Sequence, residues 1–128
     1  MGKETILKKT LISGEKNSED IEILYDTGAS RSLVEYSLCE KLTQYIIPLQ
    51  RPLKLKLADG KNTIEANFLV NLYLEINGYK LPMIFYAVNN LARDIILGID
   101  NMQDWEMKID FKTKEVTLGI TPDELFFY

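Results

Sequence analysis

The chain has 128 residues, of which 46% are hydrophobic and 27% charged, and its 19 acidic and 15 basic side chains give a net charge of −4. A chain of this length buries a sizeable core, so we expect one domain over residues 1–128, with its core at about 5–118 and a tail at 119–128. The acidic balance argues against a nucleic-acid partner, because such proteins present a basic face.

Histidine is absent and Cys39 is the only cysteine. This composition excludes a disulfide framework, a zinc cluster and catalysis by Ser-His-Asp or Cys-His groups. We therefore expect no metal and no cofactor, with acid–base chemistry left to Asp, Glu, Lys or Tyr. No apolar run is long enough to cross a membrane. The first residues contain no signal-peptide core, and Ile6 stands where a myristoylation signal needs Ser or Thr, so the expectation is a soluble cytoplasmic protein.

Alternation of apolar and polar residues with period two predicts β-strands along most of the chain. An apolar strand ends at Asp26, and a later one alternates leucines with Lys54 and Lys56, which we assign to its solvent side. A very long run places alternate apolar residues on one face, and a shorter run repeats the pattern near the end: Ile64, Ala66, Phe68, Val70, Leu72, Leu74 and Ile76, then Met107, Ile109 and Phe111.

Turn residues separate these strands, and two short helices complete the predicted elements. Asp59-Gly60 and Asn77-Gly78 are strong hairpin signals, since both central positions can take positive φ. Ser32 with Glu35 fits a capping box before a helix that contains Val34, Leu38 and Leu42. Asp100 followed by Gln103 predicts a second short helix, with Asp100 as its cap. The pattern is that of one mainly antiparallel β-domain.

The segment "ILYDTGASRSLV", from Ile23 to Val34, ends an apolar strand in an acid. Aspartate is depleted in strands and is rarely fully buried without compensation. Gly28 permits a close backbone approach, and the Thr27 hydroxyl can fix the neighbouring geometry. These residues alone leave two interpretations open: an Asx-turn without chemical role, or a carboxylate placed for chemistry.

Four segments, in order, resemble the retropepsin-like aspartic proteases over residues 20–118. They are "LYDTGASRSLV" (active-site segment), "PLKLKLADGKNTI" (flap hairpin), "RDIILGID" with Ile96, Leu97 and Gly98 (second signature), and "IDFKTKEVTL" (closing hairpin). The "ADG" and "ILG-D" stretches are most similar to proteases of gypsy-type LTR retrotransposons and plant pararetroviruses. The resemblance implies an all-β retropepsin-like acid-protease barrel with a flap hairpin and one or two short helices.

The resemblance also implies that Asp26 is the catalytic residue and that two chains form one active site, since a second Asp-Thr-Gly does not occur. Two carboxylates that share one proton can deprotonate water and protonate the scissile carbonyl. Thr27 would hydrogen-bond across the homodimer, and Gly28, followed by Ala29, would receive the substrate backbone. Asp100 occupies a position that is not catalytic in the family.

Leu57 to Lys61 would form a flap that closes over the peptide, with Ala58, Asp59 and Gly60 nearest to it. A plain solvent-exposed hairpin is the alternative for this stretch. The candidate subsite walls are apolar, which predicts apolar substrate side chains: Leu33, Leu57, Ile64 and Ile96.

The chain departs from the family pattern at two positions. Ala29 replaces the serine of pepsin-like enzymes, which removes one hydrogen bond to the carboxylate. This difference predicts a pH optimum for activity that is less acidic than that of pepsin. Ile99 replaces the arginine usual in retroviral enzymes, which removes an ion pair that braces the dimer. The apolar "LFFY" from Leu125 to Tyr128 would pair in an interface sheet or pack on its own subunit.

The sequence thus predicts an aspartic endopeptidase that matures a retroelement or viral polyprotein in the host cytoplasm or a virus-like particle. Its partners would be a second copy of the chain, a peptide or polyprotein substrate and pepstatin-like inhibitors, with neither nucleic acid nor membrane. The alternative is a non-catalytic dimerisation or peptide-binding module with the same fold. A cellular protease of this fold, or an unrelated small β-barrel binder with a chance motif, also fits the residues.

Overall fold

The computed structural model describes residues 4–56 and 60–122, and strands dominate them. The elements, in chain order, are β1 (Thr5–Ser13), β2 (Ser18–Asp26), β3 (Leu33–Glu35), α1 (Tyr36–Leu42), β4 (Ile46–Lys56), β5 (Thr63–Ile76), β6 (Tyr79–Val88), β7 (Ile95–Leu97), α2 (Ile99–Asp104), β8 (Met107–Asp110) and β9 (Glu115–Leu118). The predicted all-β class is confirmed. Neither helix in these ranges is long and apolar enough to cross a membrane.

Six strands close into a barrel in the order β1-β2-β7-β3-β6-β5. The ring closes where the end of β5 pairs antiparallel with the end of β1, from Leu11 opposite Glu75 to Ser13 opposite Tyr73. The first half of β5 pairs instead with β4, which lies outside the ring. Closure leaves the six strands of the ring without a free edge that would otherwise pair with other chains. β8 and β9 form a separate hairpin.

The long strand β5 confirms the predicted alternation. Val70, Leu72, Leu74 and Ile76 are buried, whereas the residues between them are exposed or half-buried. The strand turns at Asn77-Gly78, whose φ values of 53° and 82° are both in the left-handed region. Asparagine and glycine tolerate this region best, which is why the dipeptide marks the hairpin. The turn positions β6 antiparallel to the second part of β5, from Ile76 opposite Tyr79 to Phe68 opposite Ala87.

Apolar side chains form two clusters. The main core fills the barrel, and Tyr25 and Phe85 are the largest side chains buried in it. The second cluster, called here the cleft cluster, has a buried centre with half-buried residues around it: Leu33, Ala66 and Val88, then Leu53, Leu55, Ile64, Tyr86, Leu91 and Ile96. Since its members come from β3 to β7, it anchors the base of the β4–β5 hairpin to the barrel.

The helix boundaries differ from those that the capping box predicted. Leu33–Glu35 form β3, and α1 begins only at Tyr36. Ser32 does not cap this helix, because its hydroxyl donates to Asp100, 68 positions later in the sequence. Asp100 in turn lies inside the first turn of α2, where Gly98 holds the N-cap position. Each presumed cap is thus satisfied by the other.

Cys39 provides a test of the packing of α1 on the barrel. Its side chain is fully buried, and burial raises the pKa of the thiol to about 12. Because the thiolate is the reactive form, we expect iodoacetamide at about pH 8 to modify the native chain far more slowly than the unfolded chain. An unfolded thiol ionises near pH 8.5. Since the folded chain keeps the thiol neutral, ionisation in the unfolded chain favours unfolding at high pH, and stability is lost as the pH rises from about 9 to about 12. Mass spectrometry measures the labelling, and equal rates in both states would contradict the packing.

Candidate active site

Asp26 ends β2 with only 6% of its surface exposed, yet its carboxylate lines an open cleft. Its Oδ1 accepts a hydrogen bond from the Gly28 N–H at 2.9 Å. Its carbonyl oxygen accepts one from the Ala29 N–H at 3.1 Å. The carboxylate bond is an Asx-turn, so the turn that one interpretation expected is present. The same bond fixes the direction of the carboxylate at the cleft, and the turn therefore does not exclude a chemical role.

Strand pairing brings the two sequence signatures together. β2 and β7 run parallel, with Leu24 opposite Ile96 and Tyr25 opposite Leu97. Parallel neighbours end at the same edge of the sheet, so the residues after both strands meet there. The Ile99 N–H donates to the Ala29 carbonyl at 2.8 Å and joins the turn after β2 to the start of α2.

Gly98 lies against the backbone of the Asp26 turn. A Cβ atom at this position would lie 2.7 Å from the Arg31 carbonyl oxygen and 2.8 Å from that of Ala29. Both neighbours are backbone atoms that cannot rotate away. Glycine is therefore required here because the neighbouring backbone approaches closely. Its backbone conformation is not the reason, since a φ of −101° is open to any residue.

Replacing Gly98 with alanine should move the active-site turn. We expect Gly98→Ala to lower the free energy of unfolding by about 1–3 kcal/mol, the usual cost of overpacking. Denaturant titration measures the change, with Ser30→Ala as control, because Ser30 lies in the same turn without full burial. A midpoint equal to that of the control variant would show that the backbone gives way freely.

Ser32 is fully buried, and its hydroxyl joins the turn after β2 to the start of α2. The Oγ donates to Asp100 Oδ1 at 2.7 Å and accepts from the Gly98 N–H and from Asn101 Nδ2, both at 2.9 Å. The Ser32 N–H also donates to Asp100 Oδ2 at 3.0 Å, and Asn101 Nδ2 reaches the Ile84 carbonyl on β6. We call these residues the Ser32 network. It holds the turn after β2 against α2 and β6.

Thr27 is exposed beside Asp26 and binds the start of the chain. Its Oγ1 accepts from the Glu4 N–H and donates to the Glu4 carbonyl, both at 3.2 Å, and its own N–H donates to that carbonyl at 3.1 Å. The hydroxyl therefore fixes the geometry next to the aspartate, as expected. Its bond across a homodimer stays a prediction.

The cleft at Asp26 has a volume of about 610 Å³, which lies within the range of small-ligand and peptide sites. It is lined by the active-site turn, four apolar side chains and three cations: Asp26, Gly28, Ala29 and Ser30, then Leu24, Leu33, Leu55 and Ile96, then Arg31, Lys56 and Arg93, with Ala92 beside them. Two of the predicted apolar walls, Leu33 and Ile96, thus line the same cleft as the aspartate. Ile64 lies in the neighbouring cleft cluster.

A second hollow, of about 670 Å³, lies beside the β8–β9 hairpin and Glu4. It is slightly larger but more open, and most of its lining side chains are polar or charged. Asp26 does not line it. The chemistry of the cleft outweighs the small difference in volume, so we take the Asp26 cleft as the candidate active site.

The predicted flap falls partly outside the described residues, which omit Leu57, Ala58 and Asp59. Its base is described: Lys56 lies opposite Thr63 in the β4–β5 ladder. Gly60 is exposed with φ of 72°, as a tight turn requires. The hairpin thus rises from the rim of the cleft, and its role as a flap stays a prediction. The "LFFY" segment also lies outside the described residues.

Comparison with known proteins agrees with this geometry. Residues 22–121 match the family model of the PEG10/RTL1 protease domain. The retroviral protease-like domain of Ddi1 from Leishmania major is 20% identical, with a TM-score of 0.67 over 88% of both chains. The EIAV protease complexed with the inhibitor HBY-793 is also 20% identical, with a TM-score of 0.57 over 84% of this chain and 93% of the other. At this identity the solved structures show the fold.

The family match spans both signatures, from the strand before Asp26 to the residues after the closing hairpin. The two solved structures independently show the retroviral protease-like fold, which confirms the barrel that the sequence predicted. The chain therefore belongs to the PEG10/RTL1 family of retropepsin-like protease domains.

Proposed function

We propose that this chain is an aspartic endopeptidase whose active site contains Asp26 from each of two chains. The observation that carries the proposal is the placement of the Asp26 carboxylate. It is buried, fixed by the Gly28 N–H, and directed to a cleft with apolar walls. Substrate side chains would pack against the apolar walls of the cleft while the peptide backbone passes over Gly28.

A homodimer supplies the second carboxylate that the chemistry needs. Asp26 is the only acid among the described residues that line the cleft. A two-fold axis next to the exposed Thr27 would bring Asp26 to its own copy. Two carboxylates about 4 Å apart repel by about 4 kcal/mol at an effective dielectric near 20, so the pair would hold one proton between them.

The shared proton gives each carboxylate a role in hydrolysis. The ionised one takes a proton from water, whose oxygen attacks the scissile carbonyl carbon, while the protonated one gives its proton to the carbonyl oxygen. In the second step the tetrahedral intermediate returns that proton, the carbon–nitrogen bond breaks, and the amine leaves with the proton taken from water. The pair then again holds one proton, and no covalent intermediate with the protein forms.

The proposal also covers the substrate, its place of processing and the inhibitors. The substrate is a polyprotein of the retroelement type, processed in the host cytoplasm or a virus-like particle, and pepstatin-like compounds inhibit the enzyme. Support for these points comes from the family match, since the cleft itself is compatible with any peptide of suitable side chains. A peptide-binding module without catalysis would share the same geometry and differ only in chemistry.

Subunit mixing tests the shared site. Wild-type chain is equilibrated with a threefold excess of Asp26→Asn chain, and cleavage of a peptide is measured per wild-type chain. Random pairing leaves roughly one wild-type partner in four, so we expect activity per wild-type chain to fall about fourfold. In the control mixture, the excess chain is Asp104→Asn, which keeps Asp26 and changes an exposed residue of α2 outside the cleft.

Unchanged activity per wild-type chain in the Asp26→Asn mixture would show that one chain carries the whole site. A wild-type dimer without cleavage of any peptide would favour the non-catalytic module instead. Solution mass measured on the same samples separates this second result from a failure to dimerise.

A further inference from the structure

The described residues that line the cleft carry an excess of positive charge that the proposed chemistry does not use. We propose, on the basis of the proposed function, that Arg31 and Arg93 select substrates with acidic residues flanking an apolar scissile bond. Lys56 adds to the same field. The inference names the substrate class of the site and rests on the charges that line it.

The three cations come from separate elements that meet around Asp26. Arg31 lies in the turn after β2, Arg93 in the loop before β7, and Lys56 at the end of β4. All three side chains are exposed on the rim of the cleft. The chain as a whole has a net charge of −4, whereas the described residues that line the cleft include three cations and one acid.

Within residues 4–56 and 60–122, no carboxylate pairs with these cations. Two acids in the adjoining segments, Asp100 and Glu35, already accept hydrogen bonds from other groups. Asp100 accepts two hydrogen bonds from Ser32, and Glu35 accepts one from the Leu91 N–H at 2.8 Å. Both guanidinium groups can therefore form bidentate bonds with a carboxylate supplied by a bound peptide.

The apolar walls and Asp26 determine where in the peptide the acids belong. Leu24, Leu33 and Ile96 line the cleft together with the aspartate, so apolar side chains fit beside the scissile bond. An acid directly at that bond would also be repelled by the carboxylate pair. The arginines lie on the exposed rim, which places the favoured acids at flanking positions on either side.

Peptides with one common apolar cleavage core test the proposal. Glu, Gln or Lys is placed in turn at each flanking position, and kcat/KM is measured by mass spectrometry. We expect Glu to exceed Gln by about threefold to tenfold at one or more positions, and Lys to be poorest, because an exposed charge pair contributes modestly. The ratio of Glu to Gln should shrink when the salt concentration rises from about 0.05 M to about 0.5 M.

Two arginine variants identify the source of the preference. In Arg31→Gln and in Arg93→Gln the ratio of Glu to Gln peptide cleavage should fall towards one. Lys54→Gln is the matched control, because it removes one exposed positive charge from β4 outside the cleft. It should retain the wild-type ratio. A wild-type ratio of one, or a ratio unchanged in both arginine variants, would overturn the inference.

A binding measurement keeps this inference separate from the proposed function. Fluorescence anisotropy compares labelled Glu and Gln peptides on the Asp26→Asn chain, which cannot cleave them under the proposed mechanism. Tighter binding of the Glu peptide that is lost in the double variant with Arg31→Gln would support the acid preference even if the wild-type chain cleaves nothing. Equal binding of both peptides would overturn the preference, whatever the result for catalysis.

Discussion

Asp26→Asn is expected to lower kcat/KM for peptide cleavage by at least about 10²–10⁴-fold, the contribution of general acid–base catalysis. The amide cannot take a proton from water, and a dimer of the variant contains no carboxylate pair. The fold should survive, because the amide oxygen of the substituted side chain can accept the same Gly28 N–H that now reaches Asp26 Oδ1 at 2.9 Å. We expect a melting temperature within a few degrees of wild type, which corresponds to a change of about 1 kcal/mol or less in the free energy of unfolding.

Asp104→Asn removes an acid of the same type from the exposed end of α2, and it should keep full activity. Initial rates on one defined peptide, combined with thermal unfolding of the same preparations, separate loss of chemistry from loss of fold. Activity retained in Asp26→Asn would remove the aspartate from the mechanism. Activity lost in both variants would point to a general effect of charge.

Ser32→Ala should destabilise the chain by about 3 kcal/mol, because a buried donor or acceptor left without a partner costs about 1–3 kcal/mol. The substitution leaves the Gly98 N–H without its bond and removes one partner each from Asp100 and Asn101. The last two keep other bonds, to the Asn101 N–H and the Ile84 carbonyl. The orphaned Gly98 amide therefore carries most of the loss.

Chemical denaturation measures the effect, with Ser30→Ala expected to stay within about 0.5 kcal/mol of wild type as a control in the same turn. The double variant with Asp100→Ala should lose less than the two single variants together, since both remove the same network. A loss below about 0.5 kcal/mol in Ser32→Ala would show that water or backbone shifts satisfy the freed groups. Full additivity with Asp100→Ala would contradict the network.

Sequence patterns predicted the strands well because burial in a barrel repeats every two residues. The alternation along β5, the Asn77-Gly78 turn and the exposed Lys54 and Lys56 all follow from this local rule. The resemblance of four ordered segments predicted the family and the fold, and both are confirmed. The roles of Asp26, Thr27 and Gly28 in catalysis stay predictions.

The helix caps were wrong for a reason that local spacing cannot reveal. Ser32 and Asp100 have the residue types and spacings of caps, but they are 68 positions apart and bond to each other. A serine before a helix pattern indicates a cap only when no distant group competes for its hydroxyl. The pairing of β2 with β7 supplies that distant group.

The charge of the cleft was also missed, although its signal was in the sequence. Arg31 lies within "DTGASRS" and Arg93 begins "RDIILG", the two segments that the resemblance joined. Lys56 was assigned to the solvent side of a strand, and it is exposed as expected. Its contact with the cleft follows from the β4–β5 hairpin, which rises beside the aspartate.

The most direct test of the proposed function is cleavage of a peptide library read by mass spectrometry at high protein concentration. Wild-type chain, wild-type chain with pepstatin, and Asp26→Asn chain are compared side by side. We predict new peptide termini in the wild-type sample alone, with apolar residues at the cut sites. The same fragments from Asp26→Asn, or none from a wild-type sample whose solution mass is that of a dimer, would contradict the account.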